Sequence, residues 1–229
     1  MNHISPARAE NILDQARGKR VAVIGDFMLD RHLKGAVRRI SPEAPVPVVE
    51  VESEVTLLGG AGNVVQNLAS LGIKPVALGV IGKDTAGHLL LAHLQQISTD
   101  VSGMVSCATR PTTEKTRIIA NDQHVVRADR ESVADLERAE EDALLDALER
   151  ALPQLAALIV QDYNKGVLTE RVIETAITQA SKHRVPVAVD PKFDRFFSYR
   201  RTHLFKPNVR EVERVLGFRV ADDVQILKA

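Results

Sequence analysis

Two hydrophobic patterns alternate along this chain. Short unbroken apolar runs at Val21-Ala22-Val23-Ile24, Pro75 to Val80, Ala157-Leu158-Ile159-Val160 and Pro186-Val187-Ala188-Val189 have the length and β-branched content of strands buried on both faces. Leu204-Phe205-Lys206-Pro207-Asn208 reads as a fifth strand. Between them the apolar spacing is helical. Ser5 and Pro6 open one helix as N-cap and first-turn proline, and Gly18 stops it after Arg17. The stretch from Leu58 through Gly59-Gly60-Ala61-Gly62-Asn63 runs into an apolar helical tail that Gly72 closes as a C-cap. Further helices are predicted over Thr85 to Gln96, over Glu131 to Glu149 as an exposed acidic amphipathic element, over Thr169 to Lys182, and from Val209-Arg210-Glu211 onward. Strands and helices in this order make βαβ units, hence an α/β fold with a mainly parallel central sheet.

Two segments break the pattern. From about 33 to 56, Gly35, Pro42, Pro45 and Pro47 sit among alternating valines and charges, which is the character of edge strands, because proline cannot donate to a central ladder. A second such segment, about 112–129, carries Lys115 to Ile119 and His124 to Arg127 around Ala-Asn-Asp-Gln, a hairpin pattern. Together they predict a small β flap. Period-two alternation puts Lys115 and Arg117 on one face. On this evidence alone a solvated surface fits those two cations better than a phosphate clamp, while Arg38 and Arg39 fit an anion partner and a charged protective edge equally.

Composition narrows the chemistry. The 229 residues are 45% hydrophobic, enough for one large or two small cores, and 30 Lys+Arg balance 30 Asp+Glu. A net charge of zero argues against a general nucleic-acid or membrane surface, since binding to a phosphate backbone needs a basic excess. Small-molecule partners are expected instead. Cys107 is the one cysteine, so an internal disulfide is excluded; with no apolar segment after Met1-Asn2-His3, this fits a reducing cytoplasm. No apolar run approaches the roughly 20 residues of a membrane helix. With no tryptophan and 3% aromatics, base-stacking or carbohydrate-stacking platforms are not expected either.

In open α/β sheets ligands gather beyond the carboxyl ends of the strands, where this sequence repeatedly places acids: Asp26 and then Asp30 after the first run, Asp162 after the third, Asp190 after the fourth. Asp26 and Asp30 are candidates for hydrogen bonds to hydroxyls, with a turn-capping role as the alternative for Asp26. The glycines at 59, 60 and 62 allow close backbone approach, and the helix they open carries unpaired N–H groups, so the junction suits a polar ligand. Gly79 to Asp84 is no P-loop, because the first glycine stands too close and no Ser or Thr follows Lys83. His88 and His93 are ordinary helix residues, five apart and on different faces. Residues 182–214 hold nine Lys/Arg against four Asp/Glu, a basic neighbourhood that suits a polyphosphate.

These stretches resemble the ribokinase-like, or PfkB-type, sugar kinases. Gly59-Gly60-Ala61-Gly62-Asn63, then Gly72 and Gly82, reproduce that family's N-terminal signature spacing, with Val65 where a small residue is usual. Asp30 stands at the family's sugar-hydroxyl aspartate, and Asn208-x-x-Glu211 matches its Asn-x-x-Glu element. A closer likeness, to the heptose 7-phosphate kinases of lipopolysaccharide-core biosynthesis, is carried by Gly25 to Arg31, Arg39-Ile40-Ser41-Pro42-Glu43-Ala44-Pro45-Val46-Pro47-Val48, Asp162-Tyr163-Asn164-Lys165-Gly166, Asp190-Pro191-Lys192 and Lys206-Pro207-Asn208. The resemblance implies an ATP- and Mg²⁺-dependent phosphorylation of the anomeric hydroxyl of D-glycero-D-manno-heptose 7-phosphate. It further implies that Asp30, Asp26, Gly59, Gly60 and Asn63 bind the sugar, with some of Lys115, Arg117, Arg127 and Arg39 on its phosphate. Lys192, Asn208 and Glu211 would serve the nucleotide, and Glu211 would act indirectly on Mg²⁺.

The family's catalytic aspartate lies in a Gly-Ala-Gly-Asp element, which does not occur here; the chain ends at Ile226-Leu227-Lys228-Ala229. The expectation is a kinase truncated at its C-terminus, inactive or weakly active, homodimeric through a flap that resembles the β-clasp of relatives. A non-catalytic sugar-phosphate-binding remnant is the competing expectation. A nicotinamide enzyme is disfavoured, because Val21 to Asp26 is not followed by Gly-x-Gly-x-x-Gly.

Overall fold

The structure is a computed structural model and describes residues 4–220; the expectations placed on Met1-Asn2-His3 and on Ile226 to Ala229 lie outside the described residues. The apolar runs form a six-stranded sheet in the order β10-β9-β8-β1-β4-β5, every neighbouring pair parallel. Its strands are β1 (Arg20–Gly25), β4 (Lys74–Gly82), β5 (Asp100–Cys107), β8 (Ala157–Gln161), β9 (Val187–Asp190) and β10 (Leu204–Phe205). Among the described residues six α-helices accompany it: α1 (Pro6–Ala16), α2 (Ala61–Ser70), α3 (Thr85–Gln96), α4 (Arg138–Ala151), α5 (Glu170–Lys182) and α6 (Val209–Leu216). Side chains alternate across the sheet, so Ala22 and Ile24 pack with Leu144 and Leu148 of α4 and Val172 and Ile173 of α5. Val23 faces the other way, into a second cluster with Val65 of α2 and Leu90 and Leu94 of α3. Helices thus cover both faces, which is why the strands read as continuous apolar runs.

The flap is a separate four-stranded sheet, ordered β3-β2-β6-β7, built from β2 (Phe27–Ile40), β3 (Pro47–Gly60), β6 (Thr113–Ala120) and β7 (Gln123–Arg130). β2 and β3 form a long antiparallel hairpin, β6 runs parallel to β2, and β7 returns along β6. Pro42 and Pro45 fall in the turn and Pro47 opens β3, all positions that need no ladder donor. The hairpin is longer than the expected 33–56. Its root, Phe27-Met28-Leu29 against Leu58-Gly59-Gly60, is buried against the body, and burial on both faces hides the alternation that marks the exposed part.

Three features of the body differ from expectation. β5 had no signal in the sequence, because Ser102, Gly103 and Ser106 dilute its pattern and only Gly103 and Cys107 are buried. α4 starts at Arg138 rather than Glu131, since residues 131–137 run as a connecting segment pinned by Leu136 N–H to the Gly166 carbonyl at 3.0 Å. α4 is also more than an exposed acidic face. Glu141 is buried and accepts from Thr169 Oγ1 and, at 2.9 Å, from Arg171 Nη1.

Gly60 joins the flap to α2 with φ 56° and ψ −129°; a Cβ there would stand 2.4 Å from the Asp26 carbonyl oxygen and 2.8 Å from Met28 Cε. Gly18 also has positive φ, 70°, but meets nothing within 4 Å. In urea denaturation, Gly60→Ala should therefore cost at least ~2 kcal/mol more than Gly18→Ala, whose penalty is the ~1 kcal/mol of a left-handed residue alone. Equal costs would remove the steric account of this junction.

Candidate active site

The site lies beyond the carboxyl ends of β1, β8 and β9, where the flap roots in the body. Asp26 follows β1 and is buried. Its Oδ2 accepts from Tyr163 N at 2.7 Å and Lys165 N at 3.2 Å, and its Oδ1 from Val167 N at 3.4 Å. Both carboxylate oxygens are therefore taken up by the loop after β8, so Asp26 braces the site and does not face it as a hydroxyl acceptor. This corrects the substrate-binding expectation in favour of the capping alternative. Burial, reinforced by the nearby Asp162 carboxylate, pushes the Asp26 carboxyl up to about 6 against the three backbone donors. Asp162 is held in turn by Asn164 N at 2.8 Å and by the Tyr199 hydroxyl at 2.7 Å.

Asp30 lies four residues on, inside β2, and pairs with Arg117 Nη1 of the adjacent β6. A Cβ on Gly59 would stand 2.5 Å from Asp30 Oδ2, so the bare backbone of β3 is what lets the carboxylate sit there. Lys115 shares this face, as alternation required; its Nζ lies 2.9 Å from Glu131 Oε2 and 3.1 Å from Asp129 Oδ2. Arg127 is directly opposite Arg117 in the β6–β7 register, exposed, with its Nε 2.9 Å from Asp129. Like charges directly opposite one another repel, and each arginine leans on its own acid. Asn63 is exposed in the first turn of α2. Arg39 is not brought into this group: it lies nine residues beyond Asp30 on the same strand, roughly 30 Å away at a strand's rise per residue. Sequence proximity to the flap concealed that separation. Its neighbour Arg38 pairs with Glu50 and Glu52.

On the other side, Lys192, Asn208 and Glu211 do come together. Lys192 Nζ meets Glu211 Oε1, and Asn208 and Glu211 form a reciprocal capping box at the start of α6, with Asn208 N to Glu211 Oε2 at 2.8 Å and Glu211 N to Asn208 Oδ1 at 3.0 Å. Asp190 accepts from Gln161 Nε2 at 3.0 Å and pairs with Lys206 at 3.1 Å. Tyr163 stands between the two groups. Its ring lies 5.3 Å from Lys192 Nζ, and its hydroxyl is pushed above the usual range mainly by burial, opposed by Lys192 and reinforced by Asp190, Asp30 and Glu211. A cleft of about 860 Å³ opens beside it, lined by Tyr163, Asn164, Lys165, Lys192, Phe193 and Arg195 among others; Asp30 and Arg117 stand outside this lining.

Sequence reasoning did not assign Glu131, Lys165 or Tyr163 to the site. Glu131 was absorbed into a predicted helix. Tyr163 and Lys165 belong to a motif used only as a family mark, although the left-handed residues Asn164 and Gly166, φ 54° and 80°, give that loop a special shape.

This architecture, a parallel α/β sheet with paired charges at its strand ends under a β flap, is that of the ribokinase-like kinases. The description "pfkB family carbohydrate kinase" matches residues 19–229, and the chain belongs to that family. Among curated relatives, a "Bifunctional protein HldE" from Hyphomonas neptunium is 41% identical over 217 residues, covering 95% of this chain and 45% of the relative. A protein of the same name from a Caulobacter species is 47% identical over 206 residues, covering 90% of this chain and 42% of the relative. The chain thus spans less than half the length of these relatives. Escherichia coli phosphofructokinase-2, in a structure described as a tetrameric inhibited form, superposes with a TM-score of 0.69 at 18% identity, covering 92% of this chain and 68% of that one. Arabidopsis thaliana ribokinase complexed with ribose and ATP gives 0.64 at 15%, covering 92% and 67%. At these identities the solved structures establish the ribokinase-like fold.

Because the native-state pKa of Asp26 is raised from 3.8 to about 6, the native state holds a proton that the unfolded chain has released. The contribution of this group to stability is then complete below pH ~4 and is lost as pH rises through about 6. The stability difference between wild type and Asp26→Asn should be larger at pH 4 than at pH 7, by up to ~3 kcal/mol in urea denaturation. A difference that does not vary with pH would show that Asp26 does not titrate in this range.

Proposed function

We propose that this chain forms the sugar-binding part and a portion of the nucleotide-binding part of an ATP-dependent kinase. Its substrate is D-glycero-D-manno-heptose 7-phosphate, phosphorylated on the anomeric hydroxyl to the 1,7-bisphosphate, on the route to ADP-heptose and the lipopolysaccharide core. The observation that carries this reading is the placement of Asp30 and Arg117 beside Gly59 on one side of Tyr163, with Lys192, Glu211 and Asn208 on the other. The names of the curated relatives support the heptose assignment. A sugar already bearing phosphate also accounts for Lys115, Arg117 and Arg127 on one flap face, cations that a neutral sugar does not require.

In this reading Asp30 accepts hydrogen bonds from sugar hydroxyls, while the Gly59-Gly60 backbone and Asn63 floor the sugar. Lys192 is a point charge for the nucleotide phosphates, and the N–H groups at the start of α6 add to it. ATP supplies the phosphoryl group, and charge neutralisation and positioning are what the protein contributes to its transfer. Mg²⁺ is typically held through one or two carboxylates together with phosphate oxygens and water, and Glu211 would act on it through water. Among the described residues no three metal-ligating side chains cluster, which such a site does not require. The chain would work in the cytoplasm, where both substrates are found, and would dimerise through the flap, whose edge strand exposes Val51, Val55 and Leu57.

Calorimetry on residues 1–229 tests the assignment. Asp30→Asn should weaken heptose 7-phosphate binding at least ~10-fold and leave ATP binding in place, whereas Lys192→Met should do the reverse. Unchanged sugar-phosphate affinity in Lys115, Arg117 and Arg127 variants alike would sink the phosphate reading. Since Gly-Ala-Gly-Asp does not occur in these 229 residues, this polypeptide alone should bind with little turnover. Robust ATP-dependent phosphorylation by it would overturn that expectation, and sugar-phosphate binding without any ATP binding would favour a non-catalytic binding protein.

A further inference from the structure

Lys115 and Lys165 reach a single carboxylate from opposite sides of the gap between flap and body. Lys115 projects from β6 and places Nζ 2.9 Å from Glu131 Oε2; Lys165, in the loop after β8, places Nζ 2.7 Å from Glu131 Oε1. Each ammonium thus takes its own oxygen of one carboxylate. The three side chains are mostly buried, 16%, 16% and 22% exposed. Glu131 belongs to neither sheet, standing just past β7 where the connecting segment to α4 begins.

Both lysines have scaffolds that do not involve Glu131. The backbone of Lys165 is fixed at its N–H by Asp26 Oδ2, at 3.2 Å, and at its carbonyl by Arg110 Nη2, at 2.7 Å. Arg110 Nη2 also donates to the Ala134 carbonyl at 3.0 Å, which holds the connecting segment against the same loop. Lys115 lies in register between Asp30 and Asp129 in the flap sheet. Two ammonium groups held at this spacing repel unless an anion lies between them, and two oxygens of one trigonal group satisfy them here. A phosphate monoester offers the same pair of oxygens with more charge. Burial pushes the Glu131 carboxyl up, but the hydrogen bonds from Lys165 and Lys115 outweigh it and hold the group below the usual carboxylate range, so it is ionised at neutral pH.

We propose that Lys115 and Lys165 form a subsite for the phosphate monoester of a phosphorylated sugar, and that Glu131 occupies this subsite until the phosphate displaces it. The inference rests on the reading that the ligand is a sugar phosphate, and it assigns Lys165 and Glu131 as the residues that set specificity for that phosphate. Entry of the ligand exchanges one carboxylate for another anion between flap and body, so the flap keeps its tie to the body in both states.

Inorganic phosphate is the probe, titrated calorimetrically into residues 1–229. Glu131→Gln should bind phosphate about 10-fold tighter than wild type, because the competing charge is gone. Glu131→Asp, which keeps the charge but shortens its reach, should show a smaller gain. Lys165→Met in the Glu131→Gln background should lose the gain entirely. Phosphate binding that is unchanged or weaker in both Glu131 variants, or full retention of the gain without Lys165, would overturn the proposal. Neither the sugar nor ATP is needed for this measurement. A failed subsite therefore leaves the ATP and Asp30 results standing, and a failed kinase assignment leaves the phosphate result standing.

Discussion

Asp26 is the residue on which the rest of the site depends. Its N–H donates to the Gln161 carbonyl at 3.2 Å and its carbonyl accepts from Ala61 N at 2.9 Å, while its side chain gathers three N–H groups of the loop after β8. One residue thus joins the end of β1, the end of β8, the start of α2 and the loop that carries Tyr163 and Lys165. A buried carboxylate is tolerated only when its oxygens are satisfied, and the backbone donors meet that requirement while fixing the loop. The neighbouring Asp162 and Tyr199 extend the same network toward β9. The flap root, α2 and the loop after β8 therefore share one anchor.

Around that anchor the charged side chains are paired. Arg117 rests on Asp30, Lys115 and Lys165 on Glu131, Arg127 on Asp129, and Lys192 on Glu211. Partly exposed pairs of this kind contribute little to stability, about 0–1 kcal/mol each, but they hold long side chains in register. On the reading proposed above, an anionic ligand would exchange one set of ion pairs for another, so the cations need not be desolvated afresh. The same arrangement explains how so many cations converge in a protein of zero net charge.

Much of the fold was legible in the sequence because it follows from local rules. Apolar runs marked β1, β4, β8 and β9, Ser5 capped its helix as expected, and the helix predicted over Thr169 to Lys182 formed with Thr169 as its cap. The hairpin of Lys115 and Arg127 appeared with the expected face shared by Lys115 and Arg117. What failed was long-range or mixed in character. β5 is an edge strand whose small polar residues carry no period. The root of the flap looked like body because it is buried like body. Glu131 lay in a stretch whose acids and leucines imitate a helix, while its partners stand 16 and 34 residues away.

The sequence by itself determined the element order, the two-sided burial of the central strands, the glycine junction before α2 and the acids and cations that gather at the strand ends. Only the tertiary structure decided which of those residues meet. It turned Asp26 inward, moved Arg39 to the far tip of a long hairpin, and set Lys165 against Lys115 across Glu131. The physical reason is that propensity, capping and period act over a few residues. A site is made where strand register and sheet crossing bring distant residues within hydrogen-bond range, and those are properties of the packed whole.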